Sequence, residues 1–291
     1  MRVDPDVLKC VMFLAEEREQ NGGAFKIVPV ATAFVVRLKE NDLTWKYLVT
    51  ARHVIEGAKD ELYVRANLKT GSHKEFPIKK ADWYRHDDAD VACTEFYMPD
   101  RDPMELDYVS TPTEQFISDK YEFTFDPLPQ GAAEPVGLGD DLVFIGLFVE
   151  HAGKERNLPI VRLGNIAAMP TEAVSVARNG GTSSFSQLAY LAECKSWGGV
   201  SGSPVFWTQQ YGRQSVYLTG LLGLISSHYD IKTNAETAGD IVGTITTPIN
   251  SGIAVVTPAH FVNELLLRDD LVEIRKKRAA LSQQGNAATP S

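Results

Sequence analysis

Ser201 lies in the stretch of sequence whose residue types point most directly to chemistry, Gly198-Gly199-Val200-Ser201-Gly202. Glycines on both sides of a serine predict a sharp turn, because glycine reaches backbone conformations that other residues avoid. A serine held in such a turn exposes its hydroxyl beside backbone N–H groups that point into one small space. Such N–H groups stabilise the oxyanion that forms in acyl transfer. Taken alone, the segment is also typical of a plain tight loop.

Two upstream segments contain the other groups that serine hydrolysis requires, a base and a carboxylate that orients it. Residues 47–50 form an apolar segment predicted as a strand, and His53 follows it. The acidic turn that contains Asp87, Asp88 and Asp90 runs into a second short apolar segment. The residues alone leave three candidates for the carboxylate. They also leave a rival, in which His86 and these aspartates bind a metal ion, although no matching group of ligands elsewhere in the chain supports it.

The three segments, in this order, resemble the trypsin-like (chymotrypsin-fold) serine peptidases, and the non-secreted bacterial or viral type in particular. The residues that match are Thr50-Ala51-x-His53, Asp90-Val91-Ala92 and Gly199-x-Ser201-Gly202-x-Pro204. The resemblance covers roughly residues 7–267. It implies that Ser201 is the nucleophile, His53 the general base and Asp90 the carboxylate, with the N–H groups of Gly199 and Ser201 as oxyanion donors.

The resemblance also suggests where a substrate side chain would bind. It places Lys195 at the base of the primary specificity pocket, and Ser226, Ser227 and His228 along its wall. A buried ammonium group would favour an acidic substrate side chain, so cleavage after Glu or Asp is one hypothesis. The alternative is that Lys195 turns to solvent or lies beyond the pocket, which would leave a preference for small or apolar residues.

Val200 departs from the digestive members of the family, which have an aspartate at this position that receives a newly freed N-terminal amine. We therefore expect the chain to be competent without N-terminal trimming. A second departure is the valine that follows His53, where secreted members often have a disulfide cysteine.

Other hydrolase classes fit the sequence less well. The Gly-x-Ser-x-Gly motif of α/β-hydrolases is not met, because Ser203 stands at its final position. The chain has three cysteines, Cys10, Cys93 and Cys194, and none is at the nucleophile position. Their number and wide spacing predict neither a disulfide framework nor a zinc site. Two alternatives to an endopeptidase stay open: a protein that keeps the fold as a binding or scaffolding module without turnover, and an esterase.

Composition limits the partners that we expect. The formal net charge of −9 argues against a general affinity for nucleic acid or for anionic membranes. No apolar run is long enough to cross a bilayer, and no signal peptide is evident. We expect a cytoplasmic protein that needs no cofactor or metal and acts on a protein or peptide substrate, and a regulatory protein is a further candidate partner.

Short apolar segments separated by turns predict an all-β fold. Together with the family resemblance, this pattern predicts two six-stranded antiparallel barrels and a C-terminal helix in a single domain, residues 1–281. The first barrel would span residues 1–115, the second residues 136–256 and the helix residues 258–281. Residues 97–135 contain six prolines and little periodicity, so we assign them to the crossing between the barrels. We expect residues 282–291 to be disordered.

Overall fold

The computed structural model describes residues 3–20, 22–40, 42–96, 105–117, 136–178, 183–194, 199–211, 215–236 and 244–287. The predicted all-β class is confirmed. The strands are β1 (Val11–Glu19), β2 (Phe25–Glu40), β3 (Leu43–Thr50), β4 (Glu61–Asn67), β5 (His73–Lys79), β6 (Tyr84–Arg85), β7 (Ala92–Glu95), β8 (Thr111–Pro112), β9 (Asp141–Gly146), β10 (Ile160–Ala168), β11 (Ala173–Arg178), β12 (Ser183–Leu188), β13 (Tyr190–Glu193), β14 (Pro204–Tyr211), β15 (Ser215–Glu236) and β16 (Thr244–Pro258). The helices are α1 (Arg52–Gly57), α2 (His260–Leu266) and α3 (Asp269–Ala287).

The first half of the chain forms an eight-stranded sheet in the order β5-β4-β1-β2-β3-β7-β6, with β8 parallel to β2. Its two edge strands, β5 and β6, are consecutive in sequence and are joined by one short 3₁₀ turn, Lys80–Asp82. Because so short a connection bridges the two edges, the sheet must curl until they approach each other. The first predicted barrel is therefore a curled sheet of eight strands, which closes through a turn instead of a hydrogen-bonded strand pair.

The second half closes fully, as a six-stranded barrel in the order β10-β13-β16-β15-β14-β9. Strand β14 begins at Pro204, directly after the Ser201 segment, and pairs with β15 on one side and β9 on the other. The turn that contains Ser201 is thus anchored to the barrel by the strand that follows it. A separate two-stranded sheet consists of β11 and β12.

The core has three main parts, and β2 contributes to two of them. Successive residues of a strand point to opposite faces. Ala31, Ala33 and Val35 pack inside the first sheet, whereas Phe34 and Val36 pack in a cluster that also contains residues of the second barrel and of α2. A third cluster fills the second barrel. The two halves therefore share a continuous apolar interface.

The C-terminal helix that we predicted over residues 258–281 is two helices, α2 and α3, separated at Leu267. The six-residue gap from Leu265 to Leu271 does not fit the three- or four-residue spacing of one helical face. The break lets both leucines reach the interior, where they are buried. Helix α3 continues to Ala287, so residues 282–287 are helical and not disordered as predicted.

Arg275 ties α3 to the first sheet. Its buried guanidinium donates to the Glu40 carboxylate, to the Tyr47 hydroxyl at 3.1 Å and to the carbonyl of Leu266 at 2.7 Å. No helix within the described ranges is long and apolar enough to cross a membrane. Residues 97–104 and 118–135, most of the predicted crossing, lie outside the described residues.

Candidate active site

His53 is positioned by the change from strand to helix at the end of β3. The strand ends at Thr50, and His53 is the second residue of α1, so it lies in the first turn of a short helix that follows the strand. Its side chain is 24% exposed. Its neighbour Arg52 points elsewhere, where it donates to Glu56 at 2.6 Å and to the carbonyl of Asp87 at 2.9 Å. Arg52 thereby links α1 to the acidic turn.

Asp90 is the one of the three candidate carboxylates that contacts His53. Asp87 and Asp88 are exposed, whereas Asp90 is fully buried. Its Oδ2 atom lies 2.7 Å from His53 Nδ1, and its Oδ1 atom accepts a hydrogen bond from the His53 backbone N–H at 2.8 Å. The carboxylate thus fixes both the backbone and the ring of His53.

Residues of the second half of the chain hold Asp90 from the other side. The hydroxyl of Ser226 donates a short hydrogen bond to Oδ2 of Asp90. The backbone N–H of Asp90 donates to Gln187 Oε1 at 2.8 Å, and Gln187 Nε2 donates to Thr257 Oγ1 at 2.7 Å. Both carboxylate oxygens and the backbone N–H of Asp90 are therefore paired, as a buried charge requires.

These contacts shift the pKa values of the two partners in opposite directions. Burial alone would lower the pKa of His53, but the charge of Asp90 and its hydrogen bond to the ring raise it, and the net pKa lies above the ordinary histidine value. Burial alone would raise the pKa of Asp90, but the charge and hydrogen bonds of His53 and the hydrogen bond from Ser226 bring it below the usual range. Both shifts favour an imidazolium beside an ionised carboxylate.

Ser201 lies in a turn that packs against the strand end leading to His53. Gly199 and Gly202 have φ angles of 93° and 81°, the left-handed conformation that favours glycine. A Cβ atom on Gly202 would lie 2.2 Å from the carbonyl oxygen of Thr32 and 2.3 Å from Thr50 Oγ1. The residue after Ser201 is thus in direct contact with Thr50, three residues before His53. The fold brings all three sequence motifs to one place, between the two halves of the chain.

Comparison with known families agrees with this arrangement. A family model described as a trypsin-like peptidase domain matches residues 31–213, more than half of the chain. The chain belongs to the trypsin-like peptidase family. None of the curated proteins that were compared with it matches significantly. The matched range contains His53, Asp90 and Ser201, whereas β1, the first six residues of β2, the strands β15 and β16, and the C-terminal helices lie outside it.

The predicted specificity residues of this trypsin-like domain are only partly described. Ser226, Ser227 and His228 are consecutive on β15 and become progressively more exposed, from fully buried to solvent-exposed. Because the Ser226 hydroxyl is directed at Asp90, its side chain supports the carboxylate instead of facing a substrate. Lys195 lies outside the described residues.

The rival metal site does not form. His86 Nε2 lies 3.1 Å from Glu264 of α2, and its Nδ1 accepts a hydrogen bond from the backbone N–H of Asp88. Both ring nitrogens therefore have protein partners. Throughout the described part of the chain, no three His, Cys, Asp or Glu side chains are grouped so that they could hold a metal ion.

Sequence reasoning missed the role of the two side chains from the second half of the chain, Ser226 and Gln187, that hold Asp90 in place. Ser226 had a weak signal, a hydroxyl that interrupts the apolar run of residues 221–225, and we assigned it to the pocket wall. Gln187 had none, because the contact that gives it a role lies 97 residues away in sequence.

Proposed function

We propose that this trypsin-like domain is a serine endopeptidase, which hydrolyses peptide bonds through an acyl-enzyme intermediate. Ser201 would attack the scissile carbonyl carbon while His53 takes the hydroxyl proton. The backbone N–H groups of Gly199 and Ser201 would stabilise the oxyanion. His53 would then give the proton to the leaving amine, and a water molecule, activated by the same ring, would release the acyl group and restore Ser201.

The observation that supports this proposal most directly is the buried pair of His53 and Asp90. A neutral imidazole has one donor and one acceptor nitrogen. Because Nδ1 lies 2.7 Å from an ionised, fully buried carboxylate, it is the protonated nitrogen, and Nε2 is left as the acceptor. This is the tautomer that a general base for serine requires. The Asp90 charge also stabilises the imidazolium that forms when the proton is transferred.

The experiment is labelling of the purified chain with a fluorophosphonate, which reacts covalently with activated serine hydroxyls. We expect the wild-type chain to be labelled and Ser201→Ala to be silent. Ser203→Ala is the matched control, because Ser203 lies two residues away in the same segment but is only 1% exposed. Labelling of Ser203→Ala at the wild-type rate, together with loss in Ser201→Ala, would place the reactive hydroxyl on Ser201.

Turnover then separates an endopeptidase from the two alternatives. Incubation with a denatured protein substrate, followed by mass spectrometry of the products, should give internal cleavages that Ser201→Ala abolishes. Labelling with hydrolysis of small esters but no peptide cleavage would indicate an esterase. Absence of both labelling and cleavage in a folded wild-type chain would refute the proposal and leave a binding or scaffolding protein.

A further inference from the structure

Thr32 lies at the centre of β2, directly beneath the turn that contains Ser201. It is fully buried. Its side chain points to the same side of the strand as Phe34 and Val36, which pack in the cluster shared with the second half of the chain. A Cβ atom on Gly146, at the end of β9, would lie 3.0 Å from Thr32 Oγ1. The hydroxyl therefore sits between the two halves, and not in the core of the first sheet.

Thr32 makes four hydrogen bonds, and two of them reach the Ser201 turn. Its backbone N–H donates to the carbonyl of Ser201 at 3.0 Å, and its hydroxyl donates to the carbonyl of Gly199 at 2.9 Å. The same hydroxyl accepts a hydrogen bond from the backbone N–H of Leu147 at 2.9 Å. Its own carbonyl accepts one from Thr50 Oγ1 at 2.7 Å. Thr32 of the first sheet is thus bonded to the turn that contains Ser201, to Leu147 directly after β9, and to Thr50 at the end of the strand before His53.

The bonds from Thr32 hold the two peptide groups on either side of the one that carries the Ser201 N–H. The carbonyl oxygens of Gly199 and Ser201 are bonded to Thr32, and that of Val200 accepts from the N–H of Ser203 at 2.9 Å. In a trans peptide the N–H points opposite to the C=O of the preceding residue. The Ser201 N–H must then point away from the inward-facing Val200 carbonyl. Neither it nor the Gly199 N–H has an acceptor within the described residues.

The side chain of Val200 cannot contribute a charge to this arrangement. It is 7% exposed and packs in the apolar cluster that fills the second barrel. The turn is consequently held by neutral hydrogen bonds and by packing, including the close approach of Gly199 to Val149. The Thr32 hydroxyl supplies a side-chain hydrogen bond to the turn, and it does so at the residue whose N–H is a proposed oxyanion donor.

We propose that Thr32 is a positioning residue for the oxyanion donors, and that its hydroxyl holds the Gly199–Ser201 segment in the reactive conformation. This inference rests on the proposed peptidase function. Removing the hydroxyl frees the Gly199 carbonyl, so the Gly199–Val200 peptide group, which lies between the two proposed donors, can rotate and displace them. Oxyanion donors that are misdirected weaken transition-state binding more than substrate binding, so the loss should appear in kcat and not in KM.

The experiment compares Thr32→Val, Thr32→Ser and Thr50→Val with the wild type on a peptide that it cleaves. Valine keeps the size and branching of threonine without the hydroxyl, and serine keeps the hydroxyl. Thr50→Val is the matched control, because it removes another buried threonine hydroxyl that bonds a backbone carbonyl of the same cluster. Loss of one oxyanion donor costs about 10²–10³-fold in kcat, so we expect about 10- to 100-fold for a misdirected one.

We expect Thr32→Val to show this 10- to 100-fold loss in kcat with KM within about threefold of wild type, and Thr32→Ser to restore kcat. The affinity for a peptide aldehyde, whose tetrahedral adduct needs the same donors, should fall in parallel with kcat. The pH midpoint of kcat/KM should not move, because His53 and Asp90 are untouched. Equal losses in Thr32→Val and Thr50→Val, or full activity in Thr32→Val, would overturn the proposal.

Amide hydrogen exchange provides a readout that does not depend on turnover. Thr32→Val should speed exchange in the peptide that covers residues 199–203 by more than Thr50→Val does. If the wild type neither cleaves nor reacts with a fluorophosphonate, the proposed function fails, and the exchange comparison alone decides whether Thr32 holds the turn. Unchanged exchange there would overturn the positioning role even in an active enzyme.

Discussion

Replacing Asp90 with asparagine tests the proposed chemistry with the smallest change of shape. The wild-type carboxylate accepts three hydrogen bonds, from the His53 N–H, the His53 ring and the Ser226 hydroxyl. An asparagine has one acceptor oxygen and one NH₂ group. If its oxygen stays on the His53 N–H, its NH₂ group faces Nδ1 of the ring. Nδ1 must then become the acceptor, and the proton moves to Nε2.

This tautomer cannot accept the proton of Ser201, so the loss should be large. Exchanging the corresponding aspartate in a serine triad costs about 10⁴-fold in kcat, which corresponds to about 5.4 kcal/mol of transition-state stabilisation. The pKa of His53 should also reverse its direction. Burial, the largest cause, lowers the pKa and remains, whereas the charge and the hydrogen bond of Asp90 that raise it are lost and only the smaller effect of the Glu56 charge still raises it. We therefore expect a pKa below the ordinary histidine value in Asp90→Asn.

The assay is kcat/KM on a cleaved peptide, combined with NMR titration of the His53 ring. Asp87→Asn and Asp88→Asn are matched controls in the same acidic turn, since both carboxylates are exposed and neither contacts His53. They should stay within about twofold of wild type. A loss smaller than tenfold in a folded Asp90→Asn variant, or an equal loss in either control, would refute the assignment of Asp90.

Three further predictions follow from the same geometry. The kcat/KM should rise with pH, with a midpoint above about 6.5. Below the raised pKa of His53 the ring is protonated and cannot act as a base. A flat profile from pH 5 to 8 would contradict this prediction. Burial raises the pKa of Cys194 to about 11 despite a nearby arginine, so about one Cys194 thiol in a thousand is ionised at pH 8. Treatment with iodoacetamide should therefore leave the native protein active. Inactivation would argue for a cysteine in the mechanism. Gly202→Ala should lower activity at least tenfold and should also lower the melting temperature. The new Cβ would clash with the Thr32 carbonyl, and the φ angle of 81° at this position is unfavourable for alanine. Full activity in this variant would mean that the turn is looser than its contacts indicate.

The candidate site could be predicted from the sequence wherever a short local pattern of residue types indicates the chemistry. A serine between glycines, a histidine after an apolar strand and an aspartate before another are each local patterns. The positive φ angles of Gly199 and Gly202 agree with the turn that the glycines predicted. The choice of Asp90 over its neighbours came from the family resemblance, and the structure shows the physical difference: Asp90 alone of the three is buried.

The remaining features depend on contacts between distant parts of the chain, which local patterns do not record. The pairing of Ser226 with Asp90 spans 136 residues, and Thr32 is 167 residues from Gly199. Nothing local in the segment Ala31-Thr32-Ala33 indicates that the threonine hydroxyl bonds the turn that contains Ser201. The helix break was visible in principle, because the gap from Leu265 to Leu271 does not fit one helical face.

Each half of the chain holds a proposed catalytic group of the other half, and this has an energetic consequence. Asp90 lies in the first half of the chain but is bonded by Gln187 and Ser226 of the second half, whereas the carbonyl of Ser201 lies in the second half and is bonded by Thr32 of the first. Separating the halves would expose their shared apolar cluster and leave these polar groups without their partners. Neither half retains a complete site alone. The apolar interface that stabilises the fold therefore also stabilises the geometry of the site, and a substitution that loosens the interface should weaken catalysis without touching a reacting atom.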